Sequence, residues 1–186
     1  MDEFLLAELP APPARVLEVG CGAGELAKAL AGAGYDVVAI DPKAPAGPLF
    51  RRTTIEELDE PGSFDAVVAS SSLHHVHDLP AALDKIAGLL APGGTLAVDE
   101  FAWERLDAKS AAAVGLDHAD WHEEHRGLHT SEAMIPWLDE RFTRRTLTRE
   151  PYLFREAHAA VTEEEERNLI RTKKLREIGF RFVGTR

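Results

Sequence analysis

The chain has a single cysteine, Cys21, no long apolar run and no surplus of positive charge. One cysteine forms no internal disulfide, so a reducing, cytoplasmic setting is expected. No apolar stretch approaches the roughly 20 residues that span a bilayer. The opening, MDEFLLAELPAPPAR, is acidic where a secretory leader is basic, so no leader is expected. Lys and Arg number 21 against 32 Asp and Glu, a formal net charge of −11. That balance opposes nonspecific binding to nucleic acid or anionic membrane, where neutralising phosphate drives affinity. No internal repeat, linker or low-complexity segment breaks the chain. Its 186 residues, 45% apolar and 28% charged, suit one domain, 1–186, with one sizeable core.

The pattern alternates strands and helices. DEFLLAEL (2–9) reads as a leading helix ended by prolines, and RVLEVG (15–20) as a buried strand. Helical spacing of Leu26, Ala29, Leu30 and Ala33 predicts a helix closed by Gly34. YDVVAID (35–41), FRRTTI (50–55), FDAVVAS (64–70) and TLAVDEF (95–101) follow as strands. Between the last two, Asp78 caps a helix carrying Leu79, Leu83, Ile86 and Leu90, which APGG stops. Residues 104–126 read as helical, and Thr130 or Ser131 caps a helix to about Glu140, with a kink or early end at Pro136. RFTRRTLTRE (141–150) and FRFVGTR (180–186) are the closing strands. Thr162 and Glu165 form a capping box for a helix closed by KKLRE and Gly179. The acidic run 163–166 is that helix's first turn, complementing the dipole, rather than a cation site. The whole predicts an α/β fold with a doubly wound, Rossmann-like, mostly parallel seven-stranded sheet and an antiparallel final strand.

Within VLEVGCGAGE, Gly20, Gly22 and Gly24 follow a buried strand and open a helix. Such a turn lets a ligand touch bare backbone beside a helix N-terminus; a purely structural turn is the alternative. Asp41 ends the next strand, 17 residues after Gly24, where a carboxylate can accept from a ribose diol; it is alternatively a turn former before Pro42. The spacing is G-x-G-x-G, and position 25 is Glu where a dinucleotide fingerprint needs glycine. A carboxylate at Glu18 would repel a pyrophosphate and attract an ammonium or sulfonium.

These residues resemble the class I S-adenosylmethionine-dependent methyltransferases, of the small type whose signature is E-x-G-C-G-x-G. GSFDAVVASSSLHHVHDL (62–79) and LLAPGGTLAVDEF (89–101) are similar to that family's fourth strand with its loop and its fifth strand. The resemblance covers about the first hundred residues. It implies S-adenosylmethionine as cofactor, with Glu18, Gly20, Gly22 and Gly24 at the methionine moiety, Asp41 on the ribose and Pro42 flanking adenine. It places Ile55 on the adenine ring, Thr54 where the family often has Asp, and Ser70 near the methionine end. Residues 1–101 would then bind cofactor and 102–186 a small-molecule acceptor.

Methyl transfer needs alignment and, for many acceptors, a base. Histidine suits that role near neutral pH. His74, His75 and His77 follow the fourth strand; His118, His122, His125 and His129 are spaced four, three and four apart. The second group is open to four readings: a solvated face, a base or clamp on a lid helix, a metal site completed by Glu100 or Glu124, or packed core. His122, then His129, is the expected base, with no metal expected, and Trp103 and Trp121 are expected to line the acceptor pocket. The alternatives are a metal-assisted methyltransferase, a non-catalytic cofactor-binding protein and, last, a nicotinamide-dependent oxidoreductase.

Overall fold

The structure, a computed structural model, describes residues 3–156 and 161–186. Residue 2 of the expected leading helix lies outside them. Strands β1 (Arg15–Val19), β2 (Asp36–Ile40), β3 (Phe50–Arg51), β4 (Phe64–Ser70), β5 (Leu90–Phe101), β6 (Thr143–Glu150) and β7 (Gly179–Thr185) form one sheet in the order β3-β2-β1-β4-β5-β7-β6. The first five run parallel, and β7 is antiparallel to both β5 and β6. This is the doubly wound sheet with an antiparallel last strand that the sequence predicts.

Alternation along the central strands divides the core. Leu17, Val19, Val38, Ile40, Val67 and Val98 face one side, against Leu79, Leu83 and Ile86 of α3 (Leu79–Leu89) and Leu138 of α6 (Ser131–Arg141). Their neighbours Val16, Val37, Ala39, Ala66 and Val68 face the other, against Leu5 of α1 (Glu3–Glu8) and Ala27 and Leu30 of α2 (Glu25–Gly32). Each large side chain so buried contributes about 1.5–3 kcal/mol. Gly34, at φ 94°, closes α2, letting the Tyr35 N–H reach back to the Leu30 carbonyl at 3.2 Å. Asp78 caps α3 by accepting the Ala81 N–H at 3.0 Å.

Several boundaries differ from the sequence pattern. β3 is two residues long, because the chain turns away after Arg51. β5 starts at Leu90, before the APGG turn, and a register shift opposite Phe64 and Ala66 absorbs the extra residues. The helix expected over 104–126 is two, α4 (Ala108–Ala113) and α5 (His118–Glu124), broken at Gly115 with φ 74°. Helix α6 runs through Pro136. The last helix, α7 (Glu163–Arg171), has the capping box on Thr162 and Glu165 but stops before Lys173, whose φ is 56°. Glu166 is not part of a solvated acidic turn. It is fully buried and accepts the N–H groups of Tyr152, Leu153 and Phe154 at 2.8, 3.0 and 2.8 Å. Among the described residues no helix is long and apolar enough to cross a membrane.

Candidate functional site

The carboxyl ends of β1, β2 and β4 surround a cavity of about 710 Å³. Gly20, Gly22, Asp41, Pro42, Thr54 and Ile55, all singled out from sequence, line it. The three glycines are required for two different reasons, and all have positive φ: 76°, 49° and 79°. A Cβ on Gly20 would stand 2.3 Å from the Ser72 Cβ, and one on Gly24 2.3 Å from the Phe50 ring. A Cβ on Gly22 would meet nothing within 4 Å. Gly20 and Gly24 therefore admit neighbours of this chain, whereas Gly22 leaves backbone open to the cavity.

Glu18 lies on β1 two residues before the turn, 4% exposed, and its Oε2 has no hydrogen-bond partner. Burial pushes its pKa from 4.5 to about 7; a bond from the Ala27 N–H works against that shift, and the nearby Asp41 charge adds to it. Asp41 ends the loop side of β2. Its carboxylate accepts the Gly22 N–H at 3.1 Å and the Lys43 N–H at 2.7 Å, which fixes it against the glycine turn. Ile55 is buried at the cavity wall, and the Thr54 N–H donates to Glu57 at 3.2 Å. Ser70 does not line the cavity; the next two residues, Ser71 and Ser72, do. Ser71 is held at φ 52°, and the Tyr152 hydroxyl lies near enough to feel its side chain. Burial pushes the Tyr152 phenol's pKa well above its ordinary value, and Ser71 opposes that shift.

Neither His122 nor His129 is among the cavity-lining residues. His122 Nε2 meets the Leu106 carbonyl at 3.3 Å, and His129 Nε2 meets the Val76 carbonyl at 2.9 Å. His125 is buried among aromatic rings, stacked on Trp103 and edge-on to Phe101, with Nδ1 2.7 Å from the Trp121 carbonyl. His118 and His122 pack ring against ring, their centroids 4.4 Å apart. The four do not converge: among the described residues no three His, Cys, Asp or Glu side chains are arranged to hold a metal ion. Trp103 and Trp121 are likewise buried in the third apolar cluster with Phe101 and Tyr152, not in the cavity wall. The Trp121 indole donates to the Trp103 carbonyl at 3.0 Å, so the pair serves packing. Sequence reasoning placed His75 and His77 after the fourth strand at the crevice without naming them site residues; both line the cavity, with Val76 between them. Their position in the loop after β4 was the available signal.

A ligand cavity at the carboxyl ends of parallel strands, beside a glycine turn that opens a helix, defines the doubly wound α/β class. The match to known families is more specific. A family profile described as a methyltransferase domain covers residues 2–163, and the chain belongs to that family. The chain is 38% identical over 109 residues to a ubiquinone biosynthesis O-methyltransferase of Xanthomonas campestris, covering 50% of this chain and 46% of that protein. It is 42% identical over 113 residues to an uncharacterized methyltransferase of Mycobacterium bovis, covering 54% of this chain and 57% of that one. It thus spans about half the length of these curated relatives. Among solved structures, a SAM-dependent methyltransferase from Methanosarcina mazei superposes with a TM-score of 0.72 at 16% identity, covering 100% of this chain and 98% of that one. An S-adenosylmethionine-dependent methyltransferase from Mesorhizobium loti gives 0.67 at 18% identity, covering 98% and 96%. These two likenesses extend the fold match over the second half of the chain.

Proposed function

We propose that this chain transfers a methyl group from S-adenosylmethionine to a small-molecule acceptor. The observation that carries the reading is the glycine turn lining the cavity at Gly20 and Gly22 with Asp41, which accepts the Gly22 N–H, and behind it buried Glu18, one of whose carboxylate oxygens has no partner. An ammonium is the complement of that oxygen, and a ribose diol that of Asp41. Pro42 and Ile55 offer apolar surface for a purine, with Thr54 and Glu56 beside them as polar contacts. When bound, the sulfonium supplies the activated methyl; this chain's residues orient it and shield it from water. Glu25, at the first turn of α2, disfavours a pyrophosphate there and hence a dinucleotide. The net charge of −11 argues against a nucleic-acid or anionic-membrane partner. Residues 102–186 then serve the acceptor side, and a cytoplasmic setting is consistent with the single cysteine.

Calorimetric titration with S-adenosylhomocysteine tests the site. Binding that weakens at least tenfold in Asp41→Ala and in Glu18→Gln supports it; no heat, or equal affinity in all three proteins, overturns it. Release of S-adenosylhomocysteine with catechol, phenol, primary amines and carboxylic acids as acceptors tests the reaction.

A further inference from the structure

The loop between β4 and α3 forms the cavity wall on the β4 side, and one side chain holds it. Glu100, near the end of β5, is fully buried and, among the described residues, pairs with no Lys or Arg. Its carboxylate accepts the N–H groups of Ser72, Leu73 and Phe101 at 2.6, 2.5 and 2.8 Å, and meets His74 Nδ1 at 2.6 Å. A carboxylate that only accepts places the proton of that last contact on Nδ1. The His74 ring is thereby fixed, edge-on to Phe101. His75 packs on it with centroids 4.1 Å apart and lines the cavity.

The strand order sets which end of the cavity this is. Pro42, Thr54 and Ile55 lie on the β2–β3 side, Asp41 ends β2, and Glu18 belongs to β1. A nucleoside gripped by Asp41, with its base over Ile55, therefore points its reactive end toward β1 and β4, where His75 stands. The cavity's other ionisable lining residues are Asp41, Glu56, Glu57, Asp78 and His77. Asp41, Glu57 and Asp78 already accept backbone N–H groups, and Glu56 lies on the β2–β3 side beside Ile55; His75 and His77 are both exposed, but of the two only His75 packs on the anchored His74 ring.

We propose that His75 takes the proton the acceptor loses on methylation, with Glu100 and His74 as positioning residues. The inference rests on the reading of the site as one of methyl transfer. The acceptor's lone pair forms the bond to the methyl carbon, the carbon–sulfur bond breaks with its pair going to sulfur, and the acceptor's proton passes to a His75 ring nitrogen and then to water. Partial desolvation of this exposed ring, then the neighbouring His74 ring, holds the His75 pKa below its ordinary value; Glu100 opposes that shift and His125 adds a little to it. The ring is thus neutral and able to accept at neutral pH.

Two measurements on the full chain test this. The first is an NMR titration of the histidine rings in complexes with S-adenosylhomocysteine and with sinefungin, an analogue that carries an amine in place of the sulfonium methyl. A cation at that point lowers the His75 pKa by about one unit, tenfold in proton affinity, relative to the neutral homocysteine complex. His77 and His118 are expected to move much less. An unchanged His75 overturns the inference while leaving cofactor binding intact; failure of both nucleosides to bind overturns the methyl-transfer reading and the inference together. The second uses whichever acceptor of the panel above turns over. His75→Gln lowers kcat about a hundredfold with KM for S-adenosylmethionine within twofold. Glu100→Gln moves the acid limb of kcat to lower pH, because the carboxylate raises the His75 pKa. An unaltered kcat in His75→Gln refutes the base, and an unmoved limb in Glu100→Gln reduces Glu100 to a structural role.

Discussion

Alanine at each glycine of the turn separates stability from binding. All three positions have φ between 49° and 79°, so each substitution costs about 1 kcal/mol of backbone strain. Gly22→Ala adds nothing further, since its Cβ meets open space. The melting temperature should fall about 2–4 °C, the shift expected per kcal/mol for a chain of this size. Gly24→Ala drives a Cβ to 2.3 Å from the Phe50 ring, which can swing aside at its far end, for a total of about 2–3 kcal/mol. Gly20→Ala is the costliest, at about 3–4 kcal/mol. Its Cβ meets the Ser72 Cβ at 2.3 Å, and Ser72 cannot retreat because its N–H is held by Glu100 at 2.6 Å. The ligand effects run in the opposite order. Gly22→Ala puts a methyl group where a ligand meets backbone, so S-adenosylhomocysteine affinity should fall about 10- to 100-fold in a well-folded protein. Thermal unfolding followed by circular dichroism gives the first ranking, and calorimetry the second. A Gly22→Ala protein that binds as the parent does, or that melts below Gly20→Ala, refutes the assignment of these roles.

Two further tests concern buried carboxylates. Glu18 titrates near 7 in the folded chain against 4.5 when free, so the fold holds its proton more tightly than the unfolded chain does. That contribution is fully present below about 4.5 and is lost as pH rises through about 7, about 3 kcal/mol in all. Urea unfolding of the ligand-free protein between pH 5 and 8 should show the parent losing stability relative to Glu18→Gln as pH rises; a difference that grows the other way contradicts the burial argument. Glu166→Ala leaves three backbone donors without their acceptor and should lower stability by about 3–5 kcal/mol, whereas alanine at exposed Glu164 should change it by less than about 0.5 kcal/mol. Equal urea midpoints for these two variants exclude the anchoring role of Glu166.

What the sequence made legible was local in origin. The glycine turn, the Asp78 cap and the Thr162–Glu165 box each depend on residues within a few positions of one another, and Asp41 was marked by its place at the end of the next strand; each stands where spacing put it. Pairing through space left no such trace. Glu100 reaches a loop 26 to 28 residues earlier in the chain, and nothing in TLAVDEF separates a strand-end acid from a loop anchor. Glu166 sits in a run of four glutamates, three of them exposed, and composition cannot tell which one turns inward. The histidines of 118–129 have helical spacing, yet Trp121 beside them drew the helix toward Phe101 rather than toward the cavity. An aromatic next to imidazole was a sound sign of burial but a poor one of what the burial serves. The short β3 failed for a related reason: Phe50 is apolar because it packs on the glycine turn, not because a long strand continues through it.

The buried carboxylates also explain why the site can be both firm and receptive. Four acids are buried among the described residues: Glu18, Asp99, Glu100 and Glu166. Asp99 pairs with Arg155 at 2.7 Å, and Glu100 and Glu166 each hold three backbone N–H groups. The latter two pin irregular loops at the same end of the sheet, and those loops come together where Tyr152 stands near Ser71. Such anchoring lets Ser71 keep a left-handed backbone and Ser72 stay against Gly20 without help from a bound molecule. Glu18 alone of the four has an oxygen that nothing in the chain satisfies. An acid left so costs stability, and the cost is retained two residues before the glycine turn. The same carboxylate, whose pKa burial raises, regains its charge when a cation arrives. Ligand uptake near pH 6 should accordingly release a proton, readable as a dependence of calorimetric heat on buffer ionisation enthalpy, and Glu18→Gln should abolish it.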